Sequence, residues 1–135
     1  MYRNVGNLLY LSIAGFASAC GGTESDAMCR SDVALVVTTG TSPIFSWEPD
    51  CAVGLLGVAD LQGGGGMMWG VAGNQPAGEP QAAIYSGVRY GDVPPGAHAL
   101  IETTPLSTGR LYRVSVYSVD GRGVATSVGS NLFTP

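Results

Sequence analysis

The chain has 135 residues, of which ten are acidic and six are basic, so its formal net charge at pH 7 is −4. This balance disfavours nucleic acid as a partner, because binding a phosphate backbone requires clustered cations and the arginines here are scattered. Charged residues make up only 12% of the chain and glycines number 21, a composition typical of a small all-β domain with tight turns.

The first nineteen residues have the pattern of an export signal. Arg3 precedes an apolar stretch, residues 5–19, that ends in small side chains. Such a stretch is too short to cross a bilayer as a mature helix. We therefore predict a cleaved N-terminal signal helix over residues 1–19.

Cys20 follows this segment directly. The run Ala17-Ser18-Ala19-Cys20, followed by two glycines, resembles the lipobox of bacterial lipoproteins. The resemblance implies cleavage before Cys20 and a diacylglycerol on its sulfur, which anchors the protein to a membrane without a transmembrane helix. It also implies a bacterial cell-envelope location, in the outer membrane if the host is Gram-negative. The same three residues form an A-x-A site for ordinary signal peptidase, and that alternative gives a secreted or periplasmic protein with an unmodified Cys20.

Residues 20–31 are small and polar and are interpreted as a tether, which leaves residues 32–135 as one domain. Within that domain, apolar and β-branched runs predict strands at 33–38, 44–48, 51–60, 67–71, 84–90, 99–102, 111–119 and 124–133. Residues 63–66 are four glycines and predict the turn of a hairpin. No stretch after the leader has helical periodicity of core length. We expect a β-sandwich of about seven strands.

Cys29 and Cys51 remain as a pair once Cys20 is assigned to lipid. Export places them in an oxidising compartment, where a disulfide closing a loop of this length stabilises by roughly 3 kcal/mol in the chain-entropy model. Two free thiols or half of a metal site are the alternatives. His98 is the single histidine of the chain, so the ligands of a zinc site are missing. We predict a disulfide, with no metal and no cofactor.

Two segments resemble fibronectin type III and related immunoglobulin-like domains. The first is residues 43–49, which read Pro-Ile-Phe-Ser-Trp-Glu-Pro, and strand alternation puts Phe45 and Trp47 on one face. The second begins at Leu106, with a glycine three residues later and Tyr112 three residues beyond that.

Val114 and Val116 continue the second segment as alternating apolar residues. The resemblance implies a sandwich whose core contains Phe45, Trp47, Leu106 and Tyr112 together with both valines. It also implies that the Tyr112 hydroxyl bonds back to the preceding turn as a tyrosine corner.

No constellation of catalytic residues is found. His98 has no nucleophile motif or partner carboxylate beside it, and the glycines at 63–66 lack the Lys-Ser/Thr of a phosphate loop. The carboxylates at 48, 50, 60 and 92 match no calcium-loop spacing. We therefore predict that the protein is not an enzyme.

Trp69, Tyr85 and Tyr90 are candidate binding residues, because one sandwich core does not need every aromatic side chain. If Trp69 and Tyr90 share an outer sheet face, they can stack on sugar rings or on a protein partner. The alternative is that each covers an apolar flank of the sandwich.

The leading function is a lipid-anchored, non-enzymatic interaction or structural module of the cell envelope, with an envelope protein or glycan as its partner. A carbohydrate-binding module that uses exposed aromatics is the alternative.

Overall fold

A computed structural model of the protein describes residues 28–76, 78–80 and 82–135. The predicted signal helix, Cys20 and most of the predicted tether lie outside the described residues. Within these ranges the chain forms eight strands and no helix. The strands are β1 (Ala34–Val37), β2 (Ile44–Glu48), β3 (Leu55–Asp60), β4 (Met67–Gly73), β5 (Val88–Arg89), β6 (Ala97–Ile101), β7 (Tyr112–Val119) and β8 (Ala125–Phe133). None of the described residues forms a helix that is long and apolar enough to cross a membrane.

The strands form two antiparallel sheets. One has three strands in the order β1-β2-β5, and the other has five in the order β6-β4-β3-β7-β8. Both sheets contribute to one hydrophobic core, in which the Phe45 ring of β2 lies 6.3 Å from the Trp69 ring of β4. The predicted all-β sandwich is therefore confirmed, with eight strands where about seven were expected.

Strand alternation selects the core face as predicted. In β2 the buried positions are Phe45 and Trp47, while their neighbours on the strand are partly or fully exposed. The same period-two pattern runs through the first five residues of β7. All six predicted core residues are buried: Phe45, Trp47, Leu106, Tyr112, Val114 and Val116.

Hydrogen bonds fix the two aromatic anchors of this core. The Trp47 indole N–H donates to the Cys51 carbonyl at 2.9 Å. The Tyr112 hydroxyl accepts from the Ser107 N–H at 2.9 Å, which ties the ring to the turn that precedes β7. Each large ring thus satisfies its polar atom inside the sandwich, where an unpaired one is costly.

Cys29 and Cys51 form a disulfide bond, as predicted. The backbone next to this disulfide is already part of the fold. Met28 pairs with Ala52, and the Cys29 N–H donates to the Ala52 carbonyl at 2.8 Å. The last part of the predicted tether therefore belongs to the folded unit. Its small, polar composition gave no sign of a pairing partner more than twenty residues away.

One edge of the sandwich is closed by β1 and β8. The Val33 N–H donates to the Val128 carbonyl at 2.7 Å, and the Asn131 amide donates to the Leu35 carbonyl at 2.9 Å. This approach requires Gly129, because a Cβ there would lie 2.7 Å from Cγ2 of Val33. β8 continues through Gly129, and its pairing with β7 shifts register between Val116 and Tyr117. The opposite edge, formed by β5 and β6, has no such closure in the described residues.

The predicted strand at 84–90 is reduced to the two residues of β5 and a single bridge between Ile84 and Val53. Gly87 has φ +99°, which lies outside the β region and ends regular pairing. The chain then turns back after Tyr90 instead of continuing along the sheet. Because this segment is irregular and turns back on itself, a cleft forms at the open edge of the sandwich.

Candidate functional site

A groove of about 390 Å³ lies at the open edge of the sandwich, between the segment 83–89 and the returning segment 92–95. A turn closes one end, where the Asp92 N–H donates to the Arg89 carbonyl at 3.1 Å. At the other end the two segments meet, since a Cβ built on Gly96 would lie 3.7 Å from the Cβ of Ala83. We call this feature the edge groove. Its volume falls at the lower end of the range typical of small-molecule sites.

The near wall of the edge groove presents Tyr85, Gly87 and Arg89 to solvent. Burial alternates along this segment, so positions 84, 88 and 90 are buried while these three residues are exposed. Tyr85 and Arg89 are four residues apart, so their Cα atoms are separated by at most about 14 Å. Gly87 lies between them, and a Cβ there would meet no atom within 4 Å. The near wall is therefore a notch with an aromatic ring on one side and a guanidinium on the other.

The backbone of the near wall is fixed by β2. The Gly87 N–H donates to the Phe45 carbonyl at 2.9 Å, and the Ser86 hydroxyl accepts from the Trp47 N–H at 2.8 Å. Tyr90 anchors the end of the segment, where its hydroxyl donates to the backbone carbonyl of residue 104 at 2.7 Å. The notch is thus built on the same strand that carries the central core residues, which makes it a preformed feature.

Arg89 and Asp92 place opposite charges beside the groove without pairing. Arg89 contacts Ser42, whose carbonyl and hydroxyl oxygens lie 3.3 and 3.5 Å from its Nη1 atom. In the part of the chain that the structure describes, Arg110–Asp60 is the single ion pair. Both groove charges are exposed to solvent. They therefore offer hydrogen-bond donors and acceptors of opposite sign to a ligand.

Pro94 and Pro95 form the far wall. Neither has a backbone N–H, and their rings fix the local backbone, so this wall is rigid and apolar. The neighbouring Val93 is 47% exposed and extends the apolar surface. The groove combines apolar walls with a few polar groups, an arrangement common to binding sites for small organic ligands.

The three predicted binding residues separate in the structure. Trp69 and Tyr90 are 0% and 7% exposed, and their ring centroids lie 4.9 Å apart inside the sandwich. Burial raises the pKa of Tyr90 to about 12. The hypothesis that these two rings form an exposed platform is therefore wrong, because both pack in the core. Tyr85 is 40% exposed and lines the edge groove.

Two of the other polar residues considered for chemistry, Asp60 and His98, lie away from the edge groove. Asp60 accepts from the N–H groups of Gln62 and Gly63 at 3.0 and 3.1 Å, and from Nε of Arg110 at 2.7 Å, so it holds the glycine hairpin in place. The hydrogen bond from Arg110 lowers the pKa of Asp60 below its ordinary value. The ring Nδ1 of His98 contacts the Asn74 side-chain oxygen at 2.5 Å on an exposed surface. Among the described residues, no three His, Cys, Asp or Glu side chains are grouped so as to hold a metal ion.

Comparison with known proteins adds no identity to this site. No family model matches the chain, and no curated protein or solved structure is significantly similar to it. The edge groove therefore has to be interpreted from its own residues. The sequence pointed to Tyr85 and weighed Asp92 only as a calcium ligand, and it missed Gly87, Arg89 and the proline pair. The one available clue was the turn composition of residues 91–96, which follow a segment containing both Tyr85 and Arg89.

Proposed function

We propose that the protein is a lipid-anchored, non-enzymatic interaction module of the bacterial cell envelope. The observation that carries the proposal is the lipobox-like run ending at Cys20, placed just ahead of a disulfide-bonded β-sandwich. Cleavage before Cys20 leaves a mature chain in which the modified residue is the first. The sandwich then becomes a compact unit held at the membrane surface by acyl chains.

The position of the disulfide supports this arrangement. Cys20 lies eight residues before Met28, the first described residue, and eight extended residues span at most about 28 Å. The end of the sandwich that carries Cys29 and Cys51 is thus kept close to the membrane. Residues 61–66 and 106–111 lie at the opposite ends of β3 and β7 from that bridge, so they are the end of the sandwich farther from the proposed anchor.

We also assign the sandwich to the fibronectin type III-like class. The inward-facing pair Phe45 and Trp47 on β2, and the Tyr112 hydroxyl bonded to the turn before β7, support the assignment. Such sandwiches host many unrelated functions, so the fold is compatible with an interaction module without choosing its partner.

The anchor is tested by mass spectrometry of the protein expressed in a bacterial host. We expect the membrane fraction to contain a mature chain that begins at Cys20 and carries diacylglycerol mass. The Cys20→Ser variant is expected to lose that mass and to appear in the soluble envelope fraction. A wild-type N-terminus without acyl mass would remove the anchor from the proposal.

The interaction role is tested with the same soluble variant. Binding of the Cys20→Ser protein to purified envelope material is compared with binding of a form that also carries Tyr85→Ala and Arg89→Ala. We expect the groove variant to lose most of the binding while keeping its unfolding midpoint. Equal retention of both proteins would exclude the edge groove as the contact site.

A further inference from the structure

We propose that the edge groove binds a segment of a neutral glycan. This inference rests on the proposed function, because it names the ligand class of the interaction module. It is carried by three features of the groove: the exposed ring of Tyr85, the unpaired charges of Arg89 and Asp92, and the absence of N–H donors on the proline wall. Together they favour a polyhydroxylated ligand over a peptide or an ion.

Tyr85 supplies the flat apolar surface that a sugar ring requires. Its side chain is 40% exposed at the mouth of the notch, and Gly87 beside it leaves open space where any other residue would place a Cβ. One face of a pyranose ring carries only C–H bonds and packs against an aromatic ring. The groove volume of about 390 Å³ lies in the range of small-molecule sites and fits a short oligosaccharide.

Arg89 and Asp92 complete the site for a neutral ligand. Each sugar hydroxyl both donates and accepts a hydrogen bond, so neighbouring hydroxyls can satisfy a carboxylate and a guanidinium at once. An anionic ligand would be attracted by Arg89 but repelled by Asp92. A cationic ligand would be attracted by Asp92 but repelled by Arg89. The two opposite charges thus select against net charge on the ligand.

An extended peptide fits the groove less well. Strand addition requires a row of free backbone N–H and C=O groups along a sheet edge. Pro94 and Pro95 supply no N–H on the far wall, and on the near wall the N–H of Gly87 is already bonded to β2. β5 is an edge strand of only two residues, so the row of backbone groups that it can offer to a peptide is short.

The proposal is tested by presenting the fluorescently labelled Cys20→Ser protein to an array of neutral and anionic oligosaccharides and of proline-rich peptides. We expect retention on one or more neutral glycans. Tyr85→Ala and Asp92→Asn should each weaken that binding by about tenfold or more, the equivalent of losing one ring contact or one charged hydrogen bond. Tyr117→Ala is the matched control, because Tyr117 is a partly exposed tyrosine on the outer face of β7 and lines no part of the groove.

Three results would overturn the proposal. The first is retention on no neutral glycan, and the second is retention on anionic glycans or peptides alone. The third is neutral-glycan binding that survives both groove substitutions while their unfolding midpoints remain those of the parent. None of these results alters the acyl mass at Cys20, so the ligand assignment and the lipid anchor succeed or fail separately.

Discussion

Trp47 and Trp69 offer a matched test of how this core is held together. Both indoles are buried in the same sandwich, at 2% and 0% exposure. The Trp47 N–H donates to the Cys51 carbonyl, whereas the Trp69 N–H has no hydrogen-bond partner among the described residues. Replacing each residue by Phe removes a similar part of the ring but has opposite effects on hydrogen bonding.

The difference in free energy of unfolding follows from these contacts. Trp47→Phe leaves the buried Cys51 carbonyl without its donor, at a cost of about 1–3 kcal/mol, and Trp69→Phe removes a buried donor that was already unsatisfied. The loss of packing is common to both variants. We therefore expect Trp47→Phe to be the less stable variant by about 2 kcal/mol or more. At about 4 °C per kcal/mol, this separates their melting temperatures by about 8 °C.

Urea unfolding followed by far-UV circular dichroism measures both variants on the same scale. The slopes of the two transitions have to agree with that of the parent, so that the midpoints report stability alone. An equal loss at the two positions would refute the reasoning. It would mean that the Trp69 N–H has a partner after all, such as the Tyr90 ring, whose centroid lies 4.9 Å from the indole.

Three further predictions concern the disulfide, the tyrosine corner and the ion pair. Replacing both Cys29 and Cys51 by Ser should lower the free energy of unfolding by about 3 kcal/mol, because the bridge closes a loop with a sequence separation of 22; an unchanged urea midpoint would contradict this. Tyr112→Phe keeps the buried ring but removes the acceptor of a backbone N–H, so it should cost about 1 kcal/mol in the same assay. The hydrogen bond from Arg110 lowers the pKa of Asp60 in the folded state. The ion pair therefore stabilises the fold fully above the pKa that Asp60 has in the unfolded chain, and this stabilisation is lost as pH falls through the lower pKa of the folded state. Between pH 5 and pH 2 the free energy of unfolding should therefore fall less for Asp60→Asn than for the parent. If the two free energies fall in parallel, the ion pair does not stabilise the fold.

Strict alternation made much of the fold predictable. The strand at 44–48 was placed with the bounds it has in the structure, and its inward face was assigned to Phe45 and Trp47. β7 was predicted one residue too long, from Leu111 instead of Tyr112. In both segments the pattern of large apolar residues at every second position is itself the physical cause of burial, so sequence and structure carry the same information.

The burial of Trp69 follows from the same alternation. Trp69 and Val71 are large and alternate with Gly70 and Ala72 along β4, so one face of that strand is bulky and the other nearly bare. The bulky face is the one that fills the space between two sheets. An interpretation of Trp69 as exposed conflicts with this pattern, and the pattern would have placed the indole in the core.

The edge groove depends on information that the sequence does not display locally. Gly87 ends the strand pairing because its φ is positive, but the conformation is fixed by a hydrogen bond to Phe45, more than forty residues earlier. The pairing of Met28 with Ala52 is likewise set by a distant segment. Local propensity cannot specify such contacts, since they exist only once both sheets are assembled.

The proposed anchor and the proposed binding site involve different edges of this sandwich. The segment that leads from Cys20 is fastened by the Cys29–Cys51 disulfide and then joins β8 through Val33, so it belongs to the closed edge. The edge groove lies beyond β2, on the edge formed by β5 and β6. The side chains of Tyr85, Arg89 and Asp92 are exposed, and none of the three belongs to the buried core. Substitutions of Tyr85, Arg89 or Asp92 should therefore alter the proposed binding without changing the acyl mass at Cys20 or the unfolding midpoint, so the two proposals can be tested separately.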